Sequence, residues 1–282
     1  MIGSVFSNYQ VIQKLGGGNT GVVYKAFDPM HHRFLALKIL DDDLLLSKEK
    51  RARFKRETQA ARILSHPAIA QVFEAGEHEG SGYIAMEYVD GRSYREIIAE
   101  SPEGVSLDRF LQLMLPVLDG VAYAQEHELL HRDLKPDNLK ESKDGNPKVL
   151  DFGLVKFMRK TKTKAGESSH ESFETMAGSV LGSAGYMSPE QAQGDPVDAA
   201  TDVFSLAVIM YELLSGHNPF QGNNPFETIV KVINDDPLSL ELLRTDLPVA
   251  LCKTIHTALA KDPVGRFGNA RDVFRAVSAV TN

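Results

Sequence analysis

Apolar positions along the chain change their spacing once, near residue 90. Before that point they form short β-branched and aromatic runs: Tyr9-Gln10-Val11-Ile12, Val22-Val23-Tyr24, Phe34-Leu35-Ala36-Leu37-Lys38-Ile39 and Tyr83-Ile84-Ala85-Met86. Such runs predict strands. Residues 47–64 interrupt them with a stretch dense in Lys, Arg, Glu and Ala, which predicts a helix ending before His66-Pro67. After Glu87-Tyr88-Val89-Asp90-Gly91 the spacing becomes helical. Ser106 is a suitable N-cap, and Leu107, Phe110, Leu111, Met114, Leu118 and Val121 follow at helical intervals. Residues 199–214 and 249–259 have the same character, and Asn269 caps a last predicted helix through Val280. Strands first and helices second predict an α+β protein of two lobes rather than one doubly wound sheet. Residues 154–180 lack both periodicity and apolar content, which predicts a mobile loop.

Composition narrows the classes. A 282-residue chain that is 43% hydrophobic can bury a sizeable core. The formal charge of −7 argues against nucleic acid as a partner. Cys252, the only cysteine, lies in the apolar run Val249-Ala250-Leu251-Cys252, where a buried thiol is expected. The N-terminus has no basic and apolar leader, and no apolar stretch reaches the ~20 residues of a membrane span. The expectation is a cytoplasmic protein, although an anchor beyond Asn282 would escape this reading.

Three segments carry candidate chemistry. Gly16-Gly17-Gly18-Asn19-Thr20-Gly21 fits G-x-G-x-x-G, a pattern that can cradle phosphates or form an ordinary flexible hairpin. A strand-forming Val22-Val23-Tyr24 follows it, where a dinucleotide fold would place a helix. Lys38 is a polar residue inside an apolar strand, so a counter-charge is expected for it. His131-Arg132-Asp133-Leu134-Lys135-Pro136-Asp137-Asn138 is followed by Asp151-Phe152-Gly153. These two runs supply a proton acceptor (Asp133), a phosphate-neutralising lysine (Lys135) and two oxygen ligands suited to Mg²⁺ (Asn138 and Asp151).

Together the segments resemble the glycine-rich, catalytic and metal-binding loops of protein kinases, and Asp133-Leu134-Lys135-Pro136 is similar to the serine/threonine version. The Met187-Ser188-Pro189-Glu190-Gln191 ending and compact length resemble the eukaryotic-like kinases of bacteria. The resemblance implies a bilobal protein-kinase-like fold. Residues 1–87 would be a small antiparallel-sheet N-lobe with one main helix, 88–91 a hinge, and 92–282 a larger helical C-lobe. It implies ATP and Mg²⁺ as reactants and cofactor, a protein substrate with a Ser or Thr acceptor, and room for a homodimer that phosphorylates itself in trans. Lys38 would pair with Glu57, and Asp133 and Lys135 would act at the transferring phosphoryl group. Leu15, Gly16, Gly17, Gly18, Asn19, Thr20, Gly21, Val22, Val23, Ala36, Lys38, Met86, Glu87, Val89 and Lys140 would surround the nucleotide. Glu190 would pair with Arg266, Asp202 would hold the catalytic-loop backbone, and Thr175 and Ser179 are candidate phosphosites. Ser183 stands where the family usually has threonine. Lys140 also departs from the family, which has an aliphatic residue there, so weakened ATP binding is expected unless its methylene stem or a rotated Leu139 fills the place. A catalytically idle binding module and a small-molecule phosphotransferase are the competing functions.

Overall fold

The structure is a computed structural model and describes residues 1–18, 21–41, 47–152 and 184–281, the side chains of Arg53, Glu57 and Thr281 excepted. Asn19, Thr20, the Glu57 side chain, Gly153, the 154–180 segment with Thr175 and Ser179, Gly182 and Ser183 lie outside the described residues. The chain divides into two compact units. Met1–Asp90 belong to the first, and Gly91–Phe152 with the described residues from 184 onward belong to the second.

The first unit is an antiparallel sheet of six strands. They are β1 (Val5–Phe6), β2 (Tyr9–Gly18), β3 (Gly21–Asp28), β4 (Arg33–Ile39), β5 (Val72–His78) and β6 (Ser81–Glu87), in the spatial order β1-β2-β3-β4-β6-β5. Register places Val23 opposite Lys38 and Lys38 opposite Ile84, while Ala36 faces Met86. Paired residues share a sheet face, so Val23, Ala36, Lys38, Ile84 and Met86 lie together. Helix α1 (Lys48–Ile63) covers that face, where Phe54 and Ala61 pack among Ala36, Leu40, Ile84 and Met86. Ser47 caps the helix by accepting from the Lys50 N–H. The opposite face buries Phe6, Tyr9, Val11, Leu35, Leu37, Ile39, Tyr83 and Ala85. Strand β5 escapes the apolar pattern because Glu74, Gly76, Glu77 and His78 are poor strand formers, and pairing with β6 overrides their preference.

The second unit is mostly helical. A small sheet, β7 (Gly91–Ser93), β8 (Leu139–Ser142) and β9 (Pro147–Val149), accompanies α2 (Tyr94–Ala99) and α3 (Leu107–Glu126). After residue 183 come α4 (Pro189–Gln193), α5 (Ala199–Ser215), α6 (Pro225–Asn234), α7 (Leu240–Leu243), α8 (Val249–Ala258) and α9 (Ala270–Ser278). Ser106 caps α3 and Asn269 caps α9, as their positions predict. Every residue of α5 after Ala199 is buried, so this helix is the centre of the unit's core. Cys252 is buried as expected, and burial raises its thiol pKa. Among the described residues no helix is long and apolar enough to cross a membrane.

Candidate active site

In the first unit the glycine-rich segment is the tip of the β2–β3 hairpin, with Gly18 opposite Gly21, Gly17 opposite Val22 and Gly16 opposite Val23. Only one of these glycines is sterically required. Gly21 has φ +129°, and a Cβ on it would stand 2.0 Å from the Ile39 carbonyl oxygen. Gly16 and Gly18 face open space, which leaves their backbone accessible. Lys38 is only 4% exposed, on the sheet face that α1 covers. Glu57 stands in α1, three residues after Phe54. Ala36 and Met86 are buried beside that lysine face, and Val89 is buried farther along. Register sets Val22 apart from this group, because it pairs with Ile39 on the other face. Leu15 is exposed and falls at a register shift in β2. The Glu87 N–H donates to the Gln71 carbonyl at 2.8 Å, so that N–H is committed within the sheet.

In the second unit the β8–β9 hairpin brings the two candidate metal ligands to one end. Leu139 pairs with Val149, and the Leu150 N–H donates to the Asn138 carbonyl at 2.8 Å, so Asn138 and Asp151 leave the ladder together. The Asn138 amide nitrogen donates to the Asp133 carbonyl at 2.8 Å, which turns its Oδ1 the other way, free to act as a ligand. Two hard oxygen donors fit magnesium, which keeps water and phosphate oxygens in the rest of its shell. Among the described residues there is no group of three His, Cys, Asp or Glu side chains placed to hold a metal ion. Lys135 Nζ lies 3.4 Å from Asp133 Oδ2. Arg132 and Asp151 both hold left-handed backbone, φ +61° and +55°, a strained conformation that persists only where the surroundings impose it.

Those surroundings are specific. Asp202, wholly buried near the start of α5, accepts the His131 N–H at 2.8 Å and the Arg132 N–H at 2.7 Å. The buried His131 ring takes the Asp133 N–H on Nδ1 (3.3 Å) and donates from Nε2 to the Leu150 carbonyl (2.8 Å). One imidazole thus ties the Asp133 segment to the Asp151 segment, and Phe152 packs against it at 4.9 Å. Gln191 donates to the Arg132 carbonyl at 2.9 Å while accepting from the Ser188 N–H. The sequence reading missed Gln191, although Ser188-x-x-Gln191 is a capping-box signature.

Glu190 and Arg266 meet in a bidentate pair with both bonds at 2.9 Å. Burial opposes ionisation of Glu190, but the Arg266 fork and the Thr201 hydroxyl outweigh it and hold the carboxyl below its ordinary value. Lys140 lies opposite Ser93 and Lys148 in the small sheet, and its charge helps lower the Glu96 carboxyl after the larger effects of hydrogen bonds from Ser93. Leu139 is wholly buried on the other face of β8, paired with Val149, so rotation of Leu139 into the place of Lys140 is ruled out.

The protein kinase domain family matches residues 9–273. A probable serine/threonine-protein kinase of Clostridium acetobutylicum is 34% identical over all of this chain, and PknB of Mycolicibacterium smegmatis is 35% identical over 94% of it. The chain spans 41% of the length of each of these relatives. A crystal structure of a mutant PknI kinase domain from Mycobacterium tuberculosis superposes with a TM-score of 0.75 at 29% identity, covering 100% of this chain and 99% of that one. With its antiparallel-sheet unit, its helical unit and a match over nearly its whole length, the chain belongs to the protein kinase domain family.

Proposed function

We propose that this chain is a serine/threonine protein kinase that transfers the γ-phosphoryl group of ATP to protein hydroxyls and phosphorylates its own 154–180 loop. The observation that carries the proposal is the hydrogen-bonded frame around Asp133. His131 and Asn138 bond its backbone N–H and carbonyl, Asp202 holds the N–H groups of the two residues before it, and Lys135 stands beside its carboxylate. A proton acceptor must hold the substrate oxygen in line with phosphorus, and small misplacements cost rate steeply. Asp133 would take the hydroxyl proton, and Lys135 would balance charge on the moving phosphoryl group. The backbone at Gly16 and Gly18, together with Lys38, would serve the phosphates, with Glu57 as the partner of Lys38. Ala36, Val23, Met86, Val89 and the stem of Lys140 would contact the base. Asn138 and Asp151 would hold Mg²⁺, which when bound neutralises the phosphate oxygens.

The test is the intact mass of phosphatase-treated protein before and after incubation with ATP and Mg²⁺, with Asp133→Asn alongside. Stepwise addition of phosphate to the wild type alone is expected. Equal addition to Asp133→Asn would remove Asp133 from the chemistry. An idle binding module is the second reading, favoured only by Lys140, and Lys140→Leu separates the two. Activity that appears only in that variant would place the defect at the base-binding residue.

A further inference from the structure

The peptide bond that joins Arg132 to Asp133 is held by a side chain at each of its polar atoms. The Asp133 N–H donates to His131 Nδ1 at 3.3 Å, and the Arg132 carbonyl accepts from Gln191 Nε2 at 2.9 Å. These atoms point to opposite sides of one rigid plane, so the two bonds together fix its rotation. Arg132 enters that plane with φ +61°, a conformation an arginine keeps only under constraint. The plane in turn sets the direction in which Asp133 leaves the backbone. His131 belongs to the loop itself, whereas Gln191 is a half-buried residue of α4.

The Gln191 amide can be turned only one way. The Arg132 carbonyl can only accept and the Ser188 N–H can only donate, so Nε2 faces the first and Oε1 the second, 3.1 Å from it. The Gln191 N–H completes the capping box on Ser188 Oγ at 3.3 Å. The bidentate Glu190–Arg266 pair anchors α4 next to this residue. A capping box needs only an oxygen from the side chain at this position, and glutamate serves it as well as glutamine does. The NH₂ group is the part the cap does not use, and it goes to Arg132.

We propose that Gln191 is a positioning residue for phosphoryl transfer: its NH₂ group locks the Arg132–Asp133 peptide and so ties the orientation of Asp133 to the seating of α4. The proposal rests on the reading that Asp133 accepts the substrate proton. Gln191 acts through the Arg132 backbone, so its effect belongs to kcat and not to KM for ATP.

The experiment is steady-state peptide phosphorylation near neutral pH by wild type, Gln191→Glu and Gln191→Met, with hydrogen exchange of the same proteins. Gln191→Glu keeps the oxygen that caps α4 and puts a second oxygen, which repels the carbonyl, against Arg132. Gln191→Met removes both groups. We expect kcat to fall about tenfold or more in both variants with KM for ATP unchanged, and exchange in residues 131–138 to quicken about tenfold. A side chain that served only as a cap would leave Gln191→Glu within about twofold of wild type and impair Gln191→Met alone, and that result overturns the proposal. Exchange that quickens in residues 188–193 but not in 131–138 also overturns it. If Gln191→Glu does not fold, Gln191→Met decides: lower kcat together with faster exchange in residues 131–138 sustains the proposal, and either one unchanged overturns it. If the wild type itself transfers no phosphate, the kinase reading fails separately, and exchange in Gln191→Glu becomes the readout. Faster exchange in residues 131–138 by about tenfold then sustains the lock, and unchanged exchange overturns it.

Discussion

Arg266→Met tests how the segment that begins at Tyr186 and α4 is tied to the helical core. The guanidinium has five N–H donors, and each has an acceptor. Nε donates to the Ala260 carbonyl at 2.6 Å, Nη1 to Glu190 and the Ala200 carbonyl, and Nη2 to Glu190 and the Lys261 carbonyl. Its side chain is 0% exposed and that of Glu190 is 6% exposed. Methionine keeps most of the volume but leaves a buried carboxylate without its cation, and three carbonyls short of a donor. Removing one partner of a buried pair costs about 3–5 kcal/mol, a large share of a total stability of roughly 5–15 kcal/mol. For a chain of this size that is a fall in Tm of about 6–10 °C.

Urea unfolding near neutral pH, followed by far-ultraviolet circular dichroism, would measure the loss in Arg266→Met, in Glu190→Leu and in the double variant. The double variant should be more stable than Arg266→Met, because the stranded charge is gone. The pH dependence has a fixed sign. The folded-state pKa of Glu190 is lowered, so its contribution is present above the ordinary glutamate range and is lost as pH falls through the lowered value. The gap between wild type and Arg266→Met should therefore narrow in acid. A loss below about 1 kcal/mol at neutral pH, or additive single and double variants, would refute the reasoning.

Other outcomes follow from single positions. Gly21→Ala should destabilise by about 2 kcal/mol or more in thermal unfolding, because its Cβ meets the Ile39 carbonyl, while Gly16→Ala should stay within about 0.5 kcal/mol. Asp202→Ala withdraws the acceptor of two buried N–H groups, so kcat should drop about a hundredfold with ATP binding retained, measured by calorimetry beside turnover. Lys140→Leu should lower KM for ATP several-fold, about 1 kcal/mol of better contact; an unchanged KM would show that the lysine stem already serves. Lys261 caps α6 through the Lys231 and Val232 carbonyls, and burial lowers its pKa to about 8. The unfolded chain then binds more protons above that value, so the wild type should gain stability relative to Lys261→Met as pH rises from about 8 toward 10, read from urea midpoints.

The helix over residues 47–64, the caps Ser106 and Asn269, and the buried run in α5 were legible because local periodicity and capping chemistry specify them. The order of Asp133, Lys135, Asn138 and Asp151 was legible because the acid, the cation and the oxygen ligands fall in short contiguous segments. Strand β5 and the three-stranded sheet were not, because their residues prefer other conformations and yield only to partners distant in the chain. The same holds for Gln191, whose role depends on Arg132. Register decided that Val23 shares a face with Lys38 and that Val22 does not. It also decided that Leu139 is core while Lys140 is not. Residue order and local preference thus determined the helices and the inventory of chemical groups. Only long-range pairing and burial decided which groups meet, because a strand's inward and outward faces exchange with a single step of register.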